Sequence, residues 1–413
     1  MHTRLFFSAC SLALASTFVP GSAPGQVFTT IYSFNSSNAG PYGAPVPGPA
    51  GVLYGATAGG GSSGLGTVFE LVAPPSPGGT WTEVPLHNFS GPDGASPLAT
   101  VTLAPDGTLY GTTSAGGASN LGTVYQLTPP ATQGGVWAEK VLHSFGASPD
   151  GNEPAAPVVI GSGGVLYGTT VQGGKHNAGI VFAVRPPPSG SGAWTEEVLH
   201  PFLSGNPGDG LEPLAPVVIG KSGALYGTAP SGGEYRDGAV YEVLPPATPG
   251  GAWTESLIWS FNGADGDRPL AGLALGANGA LYGTTSGGII PHQVTDGNVF
   301  ELVPPASKGA AWTESVIYQF TGPNGDEPES AVLIGKAGAL YGTTNYGGPN
   351  AGEIYQVLPP ASPGGEWTGS ILYSFGVTSG EAPGQLASAG GALFGYYFGG
   401  STPSDLAAFE FQP

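Results

Sequence analysis

A Leu-Tyr-Gly or Leu-Phe-Gly triplet recurs seven times along the chain, beginning at Leu53, Leu109, Leu166, Leu225, Leu281, Leu340 and Leu393, at intervals of 53 to 59 residues. Self-similarity at a period of about 40 to 60 residues marks a solenoid or propeller array, and seven copies can close into a ring. One copy shows what the unit is. The runs 98–105, 108–113, 122–127 and 137–145 are rich in β-branched, aromatic and aliphatic residues. Asp106-Gly107, Gly116-Gly117 and the stretch from Pro129-Pro130 to Gly134-Gly135 separate them with turn chemistry. Four antiparallel strands per copy make one blade, so the expected fold class is all-β, a seven-bladed β-propeller. An open β-solenoid is the alternative; its coils are usually shorter, and the caps it needs are not visible here.

With strands named A to D from the axis outward, the phase of the chain tests closure. The segment 27–34 ends in Ile31-Tyr32-Ser33-Phe34, which matches the end of a D strand such as Leu372-Tyr373-Ser374-Phe375, while the last element, 407–411, matches a C strand. The C-terminal blade therefore lacks a D strand, and the N-terminal strand is expected to complete it. That closure removes exposed sheet edges. Trp81, Trp137, Trp194, Trp253, Trp312 and Trp367 open the D strands, with Phe89, Phe145, Phe202, Phe261, Phe320 and Phe375 eight residues later on the same face. Both sets are expected to pack between blades.

Composition agrees once the register is known. Without periodicity, 74 glycines and 42 prolines in 413 residues would suggest a low-complexity chain, but here they keep fixed offsets from the triplet. Residues 1–25 read as a signal peptide, with His2 and Arg4 ahead of an apolar run from Leu5 to Val19 that is short for a membrane span. Residues 26–413 read as one propeller domain. Cys10, the single cysteine, falls in the signal, so the mature chain is expected to have no disulfide and no thiol nucleophile. The expected location is secreted or periplasmic, without membrane insertion after signal removal. A net charge of −19, from 28 acids against nine Lys and Arg, argues against nucleic acid and against an anionic membrane surface. A monomer is expected.

The succession Leu-Tyr-Gly-Thr-Thr, Gly-Gly and Gly-Thr-Val-Phe-Glu-Leu, as it stands with small changes in 53–71, resembles the GloVer tandem repeat of exported bacterial "choice-of-anchor" proteins. The likeness runs over nearly the whole mature chain and implies a repeat protein outside the cytoplasm. Members often carry an anchoring segment at the C-terminus, whereas this sequence ends on Phe411, Gln412 and Pro413, which puts surface attachment in doubt. The order of a Tyr-bearing strand, a diglycine and a later Trp is also similar to kelch propellers, which supports the strand order.

An up-and-down sheet alternates its connections between two ends, so B-to-C and D-to-A loops should share one face, where binding residues are sought first. The D-to-A loops carry Asp93, Asp150, Glu153, Asp209, Glu212, Asp265, Asp267, Asp326, Glu327, Glu329 and Glu381. Ca²⁺ is the one ion such oxygens suggest, but Asp-Gly or Asn-Gly before Pro is turn chemistry and the dense Asp-x-Asp-x-Asp spacing of a calcium loop is missing. No cofactor or metal is therefore expected. His87, His143 and His200 share an offset with Trp259, Tyr318, Tyr373 and Tyr32, which reads as a packing position.

Unique sites arise where copies differ. Loops of blades three to five hold Lys175 and His176, then Glu234, Tyr235, Arg236 and Asp237, then an enlarged loop at 289–296 with His292, and Arg268 lies in the adjacent D-to-A loop. These eight residues are the candidate ligand site, with Arg236 and Arg268 for a carboxylate and Tyr235 as a stacking surface. No catalytic residue is assigned, since Ser and Cys nucleophile motifs and metal-ligand His spacing are missing. The functional reading is a non-catalytic binding module for an extracellular glycan or protein. The alternatives are a propeller enzyme cleaving a polysaccharide or lactone, and a structural envelope or matrix repeat.

Overall fold

The structure is a computed structural model that describes residues 26–413 except 35–39, 77, 133, 205–207, 249, 291–292, 308–309, 348–350, 363, 377–382 and 399–405, and omits the side chains of 288–290 and 293–295. The expected signal at 1–25, His292 and Glu381 lie outside the described residues. Seven antiparallel four-stranded sheets form a seven-bladed propeller. Blade two runs Thr102–Leu103, Leu109–Thr113, Thr123–Thr128 and Ala138–Ser144 in the order A-B-C-D. Blade seven holds Ala387–Ala389, Ala392–Phe398 and Leu406–Gln412, and Val27–Ser33 is its outer strand. The closing pair is antiparallel, from Val27 opposite Gln412 to Ser33 opposite Ala407. No helix among the described residues is long and apolar enough to cross a membrane.

Strand A is shorter than the run 98–105 suggests. Only Thr102–Leu103 pairs in blade two, and the other inner strands have two or three residues. Seven blades converge on one axis, and the residues just ahead of each A strand turn out of the ladder to line the axial opening.

Each letter of Leu-Tyr-Gly-Thr-Thr has a packing role. The seven leucines are buried to 3% exposure or less. The tyrosine meets the Trp of the following blade, with Tyr167 and Trp253 at 6.1 Å and Tyr226 and Trp312 at 5.6 Å between ring centroids. Those Trp rings are only half-buried. The Phe that ends strand D is the deeply buried partner: Phe34, Phe89, Phe145, Phe202, Phe261, Phe320 and Phe375 sit 5.0 to 5.8 Å from the strand C rings Phe69, Tyr125, Phe182, Tyr241, Phe300, Tyr355 and Phe409 of the next blade.

The glycine follows from that ring. Gly168 pairs across the ladder with Phe182, and Gly283 with Phe300. A Cβ on either would lie 2.5 Å from the ring, where nothing but hydrogen fits. The first threonine then ties one blade to the next. Thr112 Oγ1 donates to the Ala156 carbonyl at 2.9 Å, Thr169 to Ala215 at 3.0 Å, Thr228 to Ala271 at 2.8 Å and Thr343 to Gly384 at 2.9 Å. The second threonine turns into the loop, as when Thr113 Oγ1 donates to the Ala115 carbonyl at 2.9 Å. The apolar clusters accordingly span neighbouring blades; Phe145 of blade two packs with Val158, Leu166 and Phe182 of blade three.

Deleting residues 27–34 should open the ring, because Phe28 stacks on Tyr373 at 4.3 Å and Phe34 packs on Phe69, so one strand serves two junctions. A clear fall in melting temperature is expected, and an unchanged one would refute closure by this strand. A second outcome concerns strand C, where the hydroxyls of Tyr125, Tyr241 and Tyr355 are buried without a hydrogen-bond partner. Phe stands at the matching positions of other blades. Tyr241→Phe should raise stability by about 1 kcal/mol in chemical denaturation, since a buried unpaired hydroxyl costs on that order; a loss would mean the hydroxyl is bonded.

Candidate functional site

The axial opening is a cavity of about 380 Å³ to which every blade contributes the residues ahead of its strand A, such as 98–100 in blade two and 214–216 in blade four. Convergence keeps most of these small, with Ala99, Ala156, Ala215 and Ala271 near the axis. Four larger apolar side chains stand out at its rim. Tyr42 is 55% exposed, and Leu98, Leu214 and Phe398 are each exposed by more than a third. Asn345 Nδ2 donates to Glu329 Oε2 at 2.7 Å beside them. Glu329 is the one carboxylate among the described lining residues.

The D-to-A and B-to-C loops do share a face, and they pair with each other. Gly151–Asn152 pairs with Gln172–Gly173, and Gly210–Leu211 with Ser231–Gly232. Single bridges join Ala95 to Ala115, Asp267 to Gly287 and Asp326 to Tyr346 in other blades. The candidate residues read from sequence fall in two places on these loops. Lys175 and His176 are exposed and line a hollow of about 440 Å³ with Asp150, Asn152 and Asn177. Glu234, Tyr235 and Arg236 are exposed farther round, where the Arg268 amide donates to the Asp237 carbonyl at 2.9 Å.

The Arg268 side chain is engaged by its own neighbour, with Nε 3.5 Å from Asp267 Oδ1. Burial, then the charges of Asp267 and Asp265, push the Asp237 carboxyl up. Acids thus surround Arg268. The structure brings Asp237 and Arg268 together, sets Lys175 and His176 in a different hollow, and gives none of these residues a place in the axial lining.

The loop acids do turn work. Asp93 Oδ1 accepts from the Ser90 amide at 2.8 Å, Asp150 Oδ2 from Gly146 at 2.8 Å, and Asp265 Oδ1 from Asn262 at 2.9 Å. The same carboxylates meet the outer-strand rings. His87 Nε2 lies 2.9 Å from Asp93, His143 Nε2 3.1 Å from Asp150 and His200 Nε2 3.4 Å from Asp209, while the Trp259 indole donates to Asp265 at 3.1 Å. Each histidine also packs edge-on against the Phe two residues later, at 4.7 to 4.9 Å. A packing position is therefore right for the histidines, but incomplete.

Sequence reasoning missed the third member. Two residues after the Trp of the following blade, Glu139, Glu196 and Glu255 reach the same points, so that one imidazole nitrogen and two carboxylate oxygens lie within 4.8 Å of one another in each trio. Burial above all pushes these three glutamates up to about 7. The signal was present only in register: a D-strand His, a loop Asp and a Glu after the next Trp, repeated in three successive copies.

Glu314 occupies the same place opposite Trp259 and Asp265, and burial, with the Asp265 charge second, raises it to about 7. A carboxyl whose folded pKa lies above its unfolded value of about 4.5 stabilises the fold fully below pH 4.5, and that contribution is lost as pH rises through about 7. Glu314→Gln should therefore melt higher than wild type at pH 8 and lose that advantage towards pH 5. Parallel melting curves at every pH would contradict it.

The Gloeobacter/Verrucomicrobia repeat matches residues 16–215 and 191–409. Comparison with curated proteins finds no match. Among solved structures, the holo form of the pyranose dehydrogenase PQQ domain from Coprinopsis cinerea is 12% identical, with 76% of this chain and 92% of that chain covered at a TM-score of 0.40. A protein of unknown function from Dyadobacter fermentans DSM 18053 is 13% identical, with 94% and 100% covered at a TM-score of 0.41. Likeness at this level brings no chemistry to the chain. The two matched spans cover nearly its whole length, and the chain belongs to the Gloeobacter/Verrucomicrobia repeat family.

Proposed function

We propose that the chain is an exported, non-catalytic binding module whose ligand is an extracellular glycan seated in the axial opening. The observation that carries this reading is the rim itself. Tyr42 and Phe398 offer exposed ring faces beside the hydrogen-bonded pair Asn345 and Glu329. A sugar presents an apolar C–H face and a ring of hydroxyls, which call for an aromatic surface and for amide and carboxylate partners. The volume falls in the ordinary range for small-ligand pockets. Among the described lining residues Glu329 is the one carboxylate, where glycoside cleavage normally uses a pair. Export rests on His2, Arg4 and the apolar run that follows. A longer glycan would run outward over the loop face, where the exposed Tyr235 ring offers a further stacking surface.

A glycan screen with residues 26–413 tests this, followed by titration of the best ligand against Tyr42→Ala and Phe398→Ala. Each substitution should weaken binding about tenfold, the effect of losing roughly 1.4 kcal/mol of stacking and contact. Full affinity in the double variant, or binding only to protein ligands, would overturn the assignment. Turnover of a bound polysaccharide would replace it with catalysis.

A further inference from the structure

We propose that three successive blade junctions each bind one divalent transition-metal ion of the Zn²⁺ type, through His87, Asp93 and Glu139, through His143, Asp150 and Glu196, and through His200, Asp209 and Glu255. Each trio draws its ligands from the outer strand of one blade, the loop that follows it and the outer strand of the next blade. The site exists only when two blades are docked.

Three observations support a cation here. The donor set is one imidazole and two carboxylates, which suits a borderline ion such as Zn²⁺ better than Ca²⁺, whose ligands are oxygens. The spacing is close to what such an ion needs. Metal–ligand bonds of about 2.0 to 2.1 Å in a tetrahedron set ligand atoms about 3.3 Å apart, and the His–Asp separations are 2.9, 3.1 and 3.4 Å. The glutamate needs only a small side-chain movement to join them, since all three ligand atoms already lie within 4.8 Å.

The third observation is an unmet bonding requirement. Oε1 of Glu139, Glu196 and Glu255 is shut off from solvent and has no hydrogen-bond partner. Two carboxylates meet in each junction, and one divalent ion neutralises both. Three protein ligands leave one tetrahedral position open. The net charge of −19 favours cation capture at long range.

The next junction is a built-in reference. Trp259 replaces the histidine there, and its indole hydrogen occupies the Asp265 oxygen that would otherwise face an ion. Glu314 Oε1 is again buried and unpartnered, so the scaffold tolerates this geometry without a metal ligand at the ring position. His143→Trp therefore copies an arrangement the fold already holds.

The test is equilibrium dialysis of residues 26–413 against ZnCl₂, with CaCl₂ in a parallel arm and metal counted by mass spectrometry. Three equivalents of Zn²⁺ are expected in the wild type, two in His143→Trp and none in the triple variant with His87→Trp, His143→Trp and His200→Trp. Zn²⁺ should also raise the melting temperature of the wild type, reversibly with EDTA, and leave the triple variant unmoved. If a variant fails to fold, Glu196→Gln should still weaken one of three sites at least tenfold. Fewer than one retained Zn²⁺ per wild-type chain, three equivalents in His143→Trp, or equal retention of Ca²⁺ would overturn the proposal.

Discussion

The ring depends on one contact made seven times, an aromatic ring of strand C held between the glycine of its own blade and the terminal Phe of the blade before. Edge-on packing fixes the angle between the rings at each junction. The glycine lets the tip of the strand C ring reach over strand B, and that ring gives the neighbouring Phe a surface. Loss of any member would reach beyond its own sheet, because the core lies between the blades. This explains why the most regular motif of the sequence is structural: every copy needs it for the next copy to dock.

Much of this was legible in the chain. The triplet spacing gave blade number, the phase of 27–34 against 407–411 gave the closure, and turn residues gave the strand breaks, because all three are local patterns repeated in register. The length of strand A was not legible. Residues 98–101 have strand-like composition, yet convergence at the axis takes them out of the ladder, and no local propensity records how crowded an axis will be. Trp and Phe were equally good candidates for burial, yet Phe202 is sealed while Trp253 is only half-buried.

The candidate sites were the least legible part, for a related reason. Lys175, His176, Arg236 and Arg268 attract notice because bases are rare in this chain, but a sequence cannot show that two of them border a separate hollow or that Arg268 sits among acids. The His, Asp and Glu trios show the opposite problem. Each residue has a sufficient local reason to be there, as ring, turn former or strand residue, and its partners come from another blade. Around the ring the same position holds histidine three times, then Trp259, then Tyr318 bonded to Asn324, then Tyr373 stacked on Phe28, then Tyr32 bonded to Glu83. Packing is kept at every junction while the polar tip varies, so chemistry can change there without cost to the core.

The axial rim draws its aromatic rings from a different kind of asymmetry. Tyr42 belongs to the segment leading into blade one and Phe398 to blade seven, whose strand B, Ala392–Phe398, has seven residues where the other blades have five. These two blades meet at the seam where the chain closes on itself. The inner segments of blades three to seven are each tied by a threonine from the blade before, as Thr112 holds Ala156, Thr169 holds Ala215 and Thr343 holds Gly384. Blade one carries Ala56 and blade seven Tyr396 at that motif position, so the inner segments of blades two and one have no threonine tie, and the seam joins two segments that are not consecutive in the chain. The seam, where the repeat departs most from its pattern, is thus also where the exposed rings of Tyr42 and Phe398 reach the axial rim.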